Sequence, residues 1–487
     1  MILGDRNMQK LIVSKYLQIV PRKTDYAIYH SLFGNLELID DDGKNLLDVF
    51  KTSNSIDKVV DLFDKYEPST LLNYINDLQR RNFLVQDGIN EYELIEESYN
   101  RRKQYLQSGY LIRALQLIVT NKCNFNCEYC FVKSMYDSKE RTDLQNRPTN
   151  MKMSFDIAKQ SVSNLLDLLE RNGNRYLNIE FFGGEPLLNW PVIEFILETF
   201  KNGDPNGVRI IYSITTNGYL ITDKMAQLFK NYGVNVTVSF DSLHKINRSA
   251  IENEKGGERV KQNLEILKKN GNYVTFNSVL SKETLSEYDS KALVDIAKYY
   301  NIAMIGLILD LNLEFYENEK NKEKILEELW STYQYGQSQG IPIVGYWHQI
   351  FNQIIGKQPI VILSGYKTCP ATGCKLSVEP EGHVFICKCC SGYIGHIDNL
   401  GDVICSPQYE EYSMRAYRNA PECNGCEIEG FCSGVCMGSL EKKYHRMDII
   451  EKSSCNVFKG VTKKLIQNIS SKEVDIKYLS ELPKEKA

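Results

Sequence analysis

Three cysteines lie close together after an apolar run, Ala114–Thr120. They are Cys123, Cys127 and Cys130, at spacings of four and three residues. The apolar run is typical of a buried strand, and three thiols at these spacings cannot all face one way on a strand or a helix. On a loop they can converge on one centre, and such thiolates bind iron–sulfur clusters or zinc. Three ligands to a four-iron cluster would leave one iron open to a small molecule.

The spacing C-x3-C-x2-C, with Tyr129 directly before the last cysteine, resembles the signature of the radical S-adenosylmethionine (SAM) enzymes. The resemblance implies that the open iron of a 4Fe-4S cluster binds the amino and carboxylate groups of SAM, with Tyr129 beside the cofactor. SAM is then cleaved to a 5′-deoxyadenosyl radical that abstracts a hydrogen atom. A structural zinc knuckle is the alternative. It would need a fourth ligand nearby, whereas the next cysteine is Cys369.

A second concentration of cysteines lies in the C-terminal part of the chain, where 11 of the 14 cysteines fall between Cys369 and Cys455. The run C-x2-C-x5-C-x3-C from Cys423 to Cys436 resembles the SPASM domain of peptide-modifying radical SAM enzymes, which holds two auxiliary 4Fe-4S clusters. The resemblance implies a first C-terminal set of Cys369, Cys374, Cys387 and Cys436, and a second C-terminal set of Cys423, Cys426, Cys432 and Cys455.

Some cysteine assignments stay open. Cys389 and Cys390 follow Cys387 closely, so any of the three could be the third ligand of the first C-terminal set. Cys405 has no assigned ligand role and is expected to be a small buried side chain. A zinc ribbon is the alternative for the region, but one tetrahedral zinc would leave half of the assigned cysteines unexplained.

The segment that carries the first motif alternates strand-like and helix-like runs. Strand–helix alternation implies parallel strands joined by right-handed crossovers, so we expect an α/β fold with a partial (β/α)6 barrel. Reactive groups of such barrels lie at the carboxyl ends of the strands. After Ala114–Thr120, the predicted strands are 177–183, 209–217, 235–242, 273–280 and 303–310.

Candidate SAM-binding residues follow the ends of these strands. Gly183, Gly184 and Glu185 begin a Gly-Gly-Glu-Pro run, and two glycines let a backbone approach a ligand closely. The resemblance implies that this run binds the methionine amino group, with Glu185 supplying negative charge. Each hydroxyl-bearing residue among the further candidates is explained equally well as an ordinary strand-end residue or cap, and Arg248 as a surface arginine. The further candidates are Ser213, Thr216, Asn217, Ser239, Asp241, Arg248 and, as a contact for adenine, Leu280.

The N-terminal part has a separate pattern of three short strands followed by three amphipathic helices. This order predicts a winged-helix-like module and resembles the leader-recognition domain of ribosomal peptide maturases, which is related to a small chaperone of quinone-cofactor biosynthesis. The resemblance implies that a precursor's leader segment adds as a strand to a sheet edge, against the third helix. The strands begin at Leu17, Tyr26 and Leu36, and the helical patterns cover 43–51, 55–65 and 69–82.

A DNA-binding winged helix and a domain that serves only for packing are the alternatives for this module. Its third helix has only Arg80 and Arg81 as basic residues, too few for a face that follows phosphates. The net charge of −4 gives no reason to expect nucleic acid or an anionic membrane as a partner. The chain has no long apolar run and no apolar signal region, so neither membrane spanning nor secretion is expected, and we predict a cytoplasmic protein.

The predicted organisation has six segments. An alkyl radical must be kept from solvent, so we expect the loop 133–149 and the cysteine-rich domain to cover the barrel. The segments are a leader-recognition module (1–97), a charged linker (98–112), the barrel (113–310), bridging helices (311–365), the SPASM domain (366–460) and a C-terminal tail (461–487).

Together the resemblances imply a maturase of a ribosomally synthesised peptide. The implied cofactors are SAM and three 4Fe-4S clusters, and the implied partners are a precursor peptide with a leader and an electron donor such as flavodoxin or ferredoxin. The expected product is a thioether between a cysteine sulfur and a carbon of another residue, as in sactipeptide or ranthipeptide synthases. Alternatives are carbon–carbon crosslinking, formylglycine formation as in anaerobic sulfatase maturation, and a DNA-binding iron–sulfur regulator without enzyme activity.

Overall fold

The structure is a computed structural model. It describes residues 10–131, 151–201, 207–241, 256–282, 284–286, 288–356, 369, 371–415 and 421–482. The loop 133–149 and Arg248, both named above, lie outside these ranges.

The first part of the chain forms two small sheets and three helices. In one sheet β2, β3 and β4 pair antiparallel in chain order, and in the other β1 lies between β5 and β6. The strands at Leu17, Tyr26 and Leu36 and the three helices are present, whereas β1 and β5 were not predicted. The elements are β1 (Lys10–Val13), β2 (Leu17–Pro21), β3 (Tyr26–His30), β4 (Gly34–Ile39), α1 (Asp41–Val49), β5 (Asn54–Ser55), α2 (Ile56–Leu62), α3 (Pro68–Arg80) and β6 (Leu84–Gln86).

The prediction of a charged linker over 98–112 is wrong, because most of this segment belongs to helix α4 (Glu93–Gln107). Arg102 is fully buried, and its guanidinium donates a hydrogen bond to the carbonyl of Thr372. Leu106 is also buried and packs against Gly373, where an added Cβ would stand 2.3 Å from the leucine Cδ2. The charged residues suggested a solvated segment, but one face of the helix docks on the C-terminal part of the chain.

A ten-stranded mixed sheet forms the centre of the molecule, in the order β13-β12-β11-β10-β9-β8-β7-β14-β15-β16. Neighbouring strands are parallel from β13 to β14, and β15 and β16 are antiparallel additions. The strands are β7 (Ala114–Thr120), β8 (Tyr176–Gly183), β9 (Arg209–Thr216), β10 (Asn235–Ser239), β11 (Val274–Leu280), β12 (Ile305–Leu309), β13 (Ile343–Val344), β14 (Lys375–Val378), β15 (His383–Phe385) and β16 (Tyr393–His396).

Helices alternate with these parallel strands, and the predicted α/β fold is confirmed. One face of the sheet is apolar and buried, as Ile179 and Phe181 of β8 show, and the intervening Asn178 and Glu180 are half-buried on the other face, which we call the interior face. The sheet is wider than predicted because β13 and β14 extend it at both sides. The helices are α5 (Phe155–Arg171), α6 (Trp190–Thr199), α7 (Asp223–Asn231), α8 (Gly256–Lys269), α9 (Ser290–Tyr299) and α10 (Glu319–Gln339).

The C-terminal part adds strands to the central sheet and to one of the two small sheets. β14 pairs with β7 in the central sheet, and the last strand, β17 (Asp475–Ile476), returns to pair parallel with β4. Cys405 is exposed, so the expectation of a buried thiol is wrong. None of the helices in the described ranges combines the length and hydropathy that a membrane crossing requires. The remaining helices are α11 (Tyr346–Ile354), α12 (Leu400–Cys405), α13 (Pro407–Arg415), α14 (Met437–Tyr444) and α15 (Lys452–Gln467).

Candidate active site

The three N-terminal cysteines lie on the loop after β7, at the carboxyl end of the parallel strands, and all three are half-buried. The pKa of Cys123 is raised to about 11, because the thiol is buried and because Glu185, Cys127 and Cys130 place negative charge near it. Thiolates this close repel one another unless a cation binds among them. The donor set therefore fits the iron of a 4Fe-4S cluster.

Gly183 and Gly184 hold the cysteine loop in place. Gly184 N donates to Thr120 O at 2.9 Å, and Glu185 N donates to Lys122 O at 2.8 Å. A Cβ at Gly183 would stand 2.2 Å from Thr120 O, and one at Gly184 would stand 2.4 Å from Lys122 O. The two glycines thus make room for the backbone of the cysteine loop, and the close approach of a ligand expected from the sequence stays a prediction.

Glu185 is fully buried and connects the ends of β8 and β9. Its Oε1 accepts from Leu187 N at 3.1 Å and from Thr216 Oγ1 at 2.7 Å, and its Oε2 accepts from Asn217 N at 2.7 Å. Asn217 Nδ2 donates to Asn124 Oδ1 at 2.7 Å, so the network reaches the cysteine loop. The carboxylate thus has protein donors, and its contact with SAM stays a prediction.

Other predicted SAM contacts line the interior face. Ser213 on β9 and Ser239 on β10 are half-buried there, and Ser213 Oγ donates to Asn178 Oδ1 at 3.2 Å. Asp241 is buried after β10 and accepts from Val279 N at 2.8 Å. These side chains lie on neighbouring strands, as the alternation of strands and helices predicted.

The aromatic candidate Tyr129 and the apolar candidate Leu280 have different surroundings. Tyr129 is half-buried on the cysteine loop itself. Leu280 is fully buried in the core between sheet and helices, on the face of β11 opposite to the half-buried Asn277. The structure does not bring Leu280 to the interior face, and Val279 takes that side because successive residues of a strand alternate.

A polar cluster that the sequence analysis missed lies on the interior face, centred on Glu180. Lys375 Nζ donates to Glu180 Oε2 at 2.6 Å, Gln116 Nε2 donates to the same oxygen at 3.0 Å, and Asn178 Nδ2 donates to Oε1 at 3.3 Å. The exposed fractions of the Glu180 and Lys375 side chains are 22% and 13%, so a ligand could reach them. The polar alternation Asn178-x-Glu180 in an otherwise apolar strand was the signal that could have found it.

Part of the first C-terminal set converges, with Cys389 at its centre. The Cys389 thiol is hydrogen-bonded to Cys387 and Cys436, and these bonds lower the pKa of both partners. Cys390 is buried nearby, where burial and the charges of Cys387, Cys436 and Cys369 raise its pKa. Which of Cys387, Cys389 and Cys390 would be a ligand therefore stays open.

Two charged side chains connect this region to the rest of the molecule. The Cys374 thiol is buried beside Arg102 of α4, and burial raises its pKa while the guanidinium opposes that rise. Lys388, between the cysteines, reaches the barrel, where its Nζ lies 2.8 Å from the centroid of the Phe182 ring on β8. The first C-terminal set thus adjoins the interior face.

The second C-terminal set converges around a cavity of about 1140 Å³, and all four cysteines line it. Burial and the neighbouring Cys432, Cys426 and Cys423 raise the pKa of Cys455 to about 11. Gly434 N donates to Cys432 Sγ at 3.3 Å. This convergence of thiols fits a second auxiliary cluster.

In the described ranges, no three His, Cys, Asp or Glu side chains meet at the spacing of a single metal ion. Ligands of a four-iron cluster stand further apart, because each thiolate binds a different iron. The cysteine loop and the second C-terminal set both offer thiols around one centre, and they fit clusters on the chemistry of their donors.

Comparison with known proteins decides the family. The profile of the radical SAM superfamily matches residues 117–291. The radical SAM cyclopropyl synthase TigE of Paramaledivibacter caminithermalis is 37% identical over 473 residues, which cover 96% of this chain and 99% of TigE. The chain belongs to the radical SAM superfamily. The predicted family is thereby confirmed, and this radical SAM enzyme matches TigE from the N-terminal module to the cysteine-rich region.

Solved structures share the fold of this radical SAM chain. The structure of native anSMEcpe with bound AdoMet has a TM-score of 0.58 at 20% identity, and the match covers 73% of this chain and 100% of that one. The structure of Streptococcus suis SuiB bound to precursor peptide SuiA has a TM-score of 0.53 at 15% identity, over 91% of this chain and 99% of that one. At these identities the likeness concerns the fold.

Proposed function

We propose that this chain is a radical SAM maturase that forms a carbon–carbon bond in a ribosomally synthesised precursor peptide and closes a cyclopropane ring. The observation that carries the proposal is its 37% identity to a cyclopropyl synthase over 96% of the chain. The shared fold of SuiB, which has been solved with a precursor peptide, supports a peptide substrate. Such a maturase would work in the cytoplasm, where its precursor is made.

The cofactor sites follow from the donor sets. Cys123, Cys127 and Cys130 would hold the 4Fe-4S cluster that binds SAM, and the two C-terminal sets would hold auxiliary clusters of the SPASM type. When bound, these groups supply the 5′-deoxyadenosyl radical that takes a hydrogen atom and an acceptor for one electron. The Glu185 network positions the cysteine loop against the end of β9.

Closing the ring also requires the peptide to lose a proton. Joining two C–H carbons removes two hydrogen atoms, one taken by the radical and the other lost as a proton and an electron. Glu180 is a carboxylate on the interior face, accessible at 22% of its side-chain surface, and Lys375 holds its orientation at 2.6 Å. We assign Glu180 the role of proton acceptor, since a general base must lie within reach of the reacting group.

The N-terminal module would bind the leader of the precursor. β2, β3 and β4 form a small sheet beside α3, and an extended segment can pair along β4 there, as β17 of the same chain does. The bridging helices and the cysteine-rich region would then close over the substrate, and a flavodoxin or ferredoxin would supply electrons.

A thioether crosslink is the second candidate product. It is favoured by the cavity of about 1140 Å³ beside the second C-terminal set, which has room for a substrate thiol. Both products lack two hydrogen atoms relative to the precursor, so mass alone does not separate them.

Anaerobic co-expression with a small cysteine-containing peptide, sought among the neighbouring reading frames as the candidate precursor, tests the proposal. We expect a product lighter by two hydrogen atoms in which iodoacetamide still alkylates every cysteine. Loss of one reactive thiol would indicate the thioether. Loss of sulfur would indicate formylglycine made from cysteine, and a product aldehyde that reacts with a hydrazide would indicate formylglycine made from serine. An unmodified peptide recovered beside an enzyme that cleaves SAM would contradict the proposal.

A further inference from the structure

The sheet edge at β4 is occupied by the chain's own C-terminal segment. β17 pairs parallel with β4, with Asp475 opposite Glu37 and Ile476 opposite Leu38. Lys477 N donates to Leu38 O at 2.8 Å, which extends the pairing by one residue. The sheet order is therefore β17-β4-β3-β2, and β4 is not its edge.

Side chains of α3 and its C-cap bind the same segment. Arg81 Nη2 lies 2.9 Å from Asp475 Oδ2, and Asp77 Oδ2 lies 3.1 Å from Lys477 Nζ. Tyr74 OH donates to Lys477 O at 3.1 Å. The tail thus lies between a sheet edge and the third helix of the module.

The tail continues from the strand into the core of the module. Leu479 is fully buried there, among residues of β3, β4, α1 and α3. Leu479 N donates to Asp40 Oδ1 at 3.2 Å and Ser480 N donates to Asp40 Oδ2 at 2.7 Å. Asp40 is also the N-cap of α1, so a single carboxylate holds both the helix and the tail.

We propose that residues 474–482 are an internal mimic of the leader and that the precursor's leader displaces them from this groove. This rests on the proposed function, because it requires a leader-binding module. The partner that fits is an extended segment with an acidic residue, a basic residue two positions later and a leucine two positions after that, which matches Asp475, Lys477 and Leu479.

The contacts of the tail are of a kind that a competitor can replace. The Asp475 side chain is 64% exposed and that of Lys477 is 38% exposed, and ion pairs in such positions are weak. β17 is only two residues long. Because the tail is tethered, it competes at a high effective concentration, and a leader must offer a better strand than the tail does.

Hydrogen–deuterium exchange of the reconstituted, full-length enzyme, with and without the co-expressed precursor peptide, tests the displacement. We expect amides of residues 474–482 to exchange faster when the peptide is present, while amides of β4 stay protected. Protection of β4 and α3 that rises without any change in the tail would overturn this inference alone. No change either within residues 10–97 or in the tail would overturn leader binding by the module, and this inference with it.

A pair of variants provides a second measurement. Lys477→Pro removes the N–H that bonds to Leu38 O, whereas Lys477→Ala removes only the ion pair to Asp77. We expect the Kd of the precursor peptide to be about tenfold lower for the proline variant than for the alanine variant, because the binding-competent state becomes more populated. Equal or weaker binding by the proline variant, with β4 still protected from exchange, would overturn the inference.

Discussion

At the residue scale, Glu185 determines how the cysteine loop meets the rest of the barrel. Its buried carboxylate accepts hydrogen bonds from Leu187 N, Thr216 Oγ1 and Asn217 N. A carboxylate with several donors is held in its charged form. The Gly-Gly-Glu-Pro turn, which the sequence suggested as a ligand contact, therefore also connects the ends of β8 and β9.

Glu185→Gln should weaken SAM binding. The NH2 group of the new glutamine would face an N–H or O–H that now donates to the carboxylate. A buried group left without its hydrogen bond costs about 1–3 kcal/mol. Through the displaced cysteine loop we expect the Kd for SAM to rise by about five- to a hundredfold. Equilibrium binding of SAM to the anaerobic enzyme measures this Kd, and Glu194→Gln on α6 is the control. An unchanged Kd would contradict the role given to Glu185.

Glu180→Gln tests the proton acceptor. The amide keeps the size of the side chain but cannot take a proton, and general-base catalysis contributes about a hundredfold or more. We expect peptide modification to fall by about that factor while SAM is still cleaved. Ser377→Ala, which reaches the cluster only through Gln116, should keep most of the activity. Modification at the normal rate by Glu180→Gln would remove Glu180 from the mechanism.

At the element scale, the N-terminal module holds the buried carboxylate of Glu37 in an ion pair beside the tail. Glu37 on β4 is 1% exposed, and Arg81 Nε lies 2.8 Å from its Oε1. Burial raises the pKa of Glu37 to about 7, although Arg81 opposes that rise. The folded module therefore binds this proton more tightly than the unfolded chain does.

The stability of the module should consequently depend on pH. A carboxyl whose pKa is raised on folding favours the folded state at low pH, and this contribution is lost as pH rises from about 4.5 to about 7. We expect exchange protection of β4 to decline over that range and the decline to be smaller in Glu37→Gln. The same decline in both proteins would show that Glu37 is not its source.

The sequence predicted the long elements well and the short ones poorly. β8, β9 and β11 span seven or eight residues of alternating burial, and their strand ends were placed within one or two residues. β13 and β17 have two residues each, too few to show a period. The Glu180 cluster needed Lys375, whose strand β14 pairs with β7 from far along the chain, and no local pattern reports such a pairing.

At the scale of the whole molecule, the N-terminal module contacts the loop of the second C-terminal set. Gly430 N donates to Ser31 O at 2.8 Å, and a Cβ at Gly430 would stand 2.3 Å from Leu32 O. The charges of Glu427 and Cys426 add to burial in raising the pKa of Tyr29 on β3. The N-terminal module and the loop of this cysteine set are therefore in direct contact.

The iron content tests the whole arrangement. We expect about twelve irons per chain after anaerobic purification, from three four-iron clusters. Cys432→Ser should lower the content to about eight, since it removes a ligand of the second C-terminal set. Cys405→Ser is the matched control, because that thiol lines the same cavity but is exposed and belongs to neither C-terminal set. A content near four irons in the unaltered protein would leave both auxiliary clusters without support.

The proposed chemistry depends on the 5′-deoxyadenosyl radical taking a hydrogen atom from the peptide, and following that hydrogen atom tests it. The enzyme is incubated anaerobically with dithionite, SAM and a precursor peptide that is deuterated on its side-chain carbons. We predict 5′-deoxyadenosine that carries deuterium, and none from Cys127→Ala. If the enzyme turns over SAM and modifies the peptide but the 5′-deoxyadenosine contains no deuterium, the peptide is not the hydrogen donor and the account is contradicted.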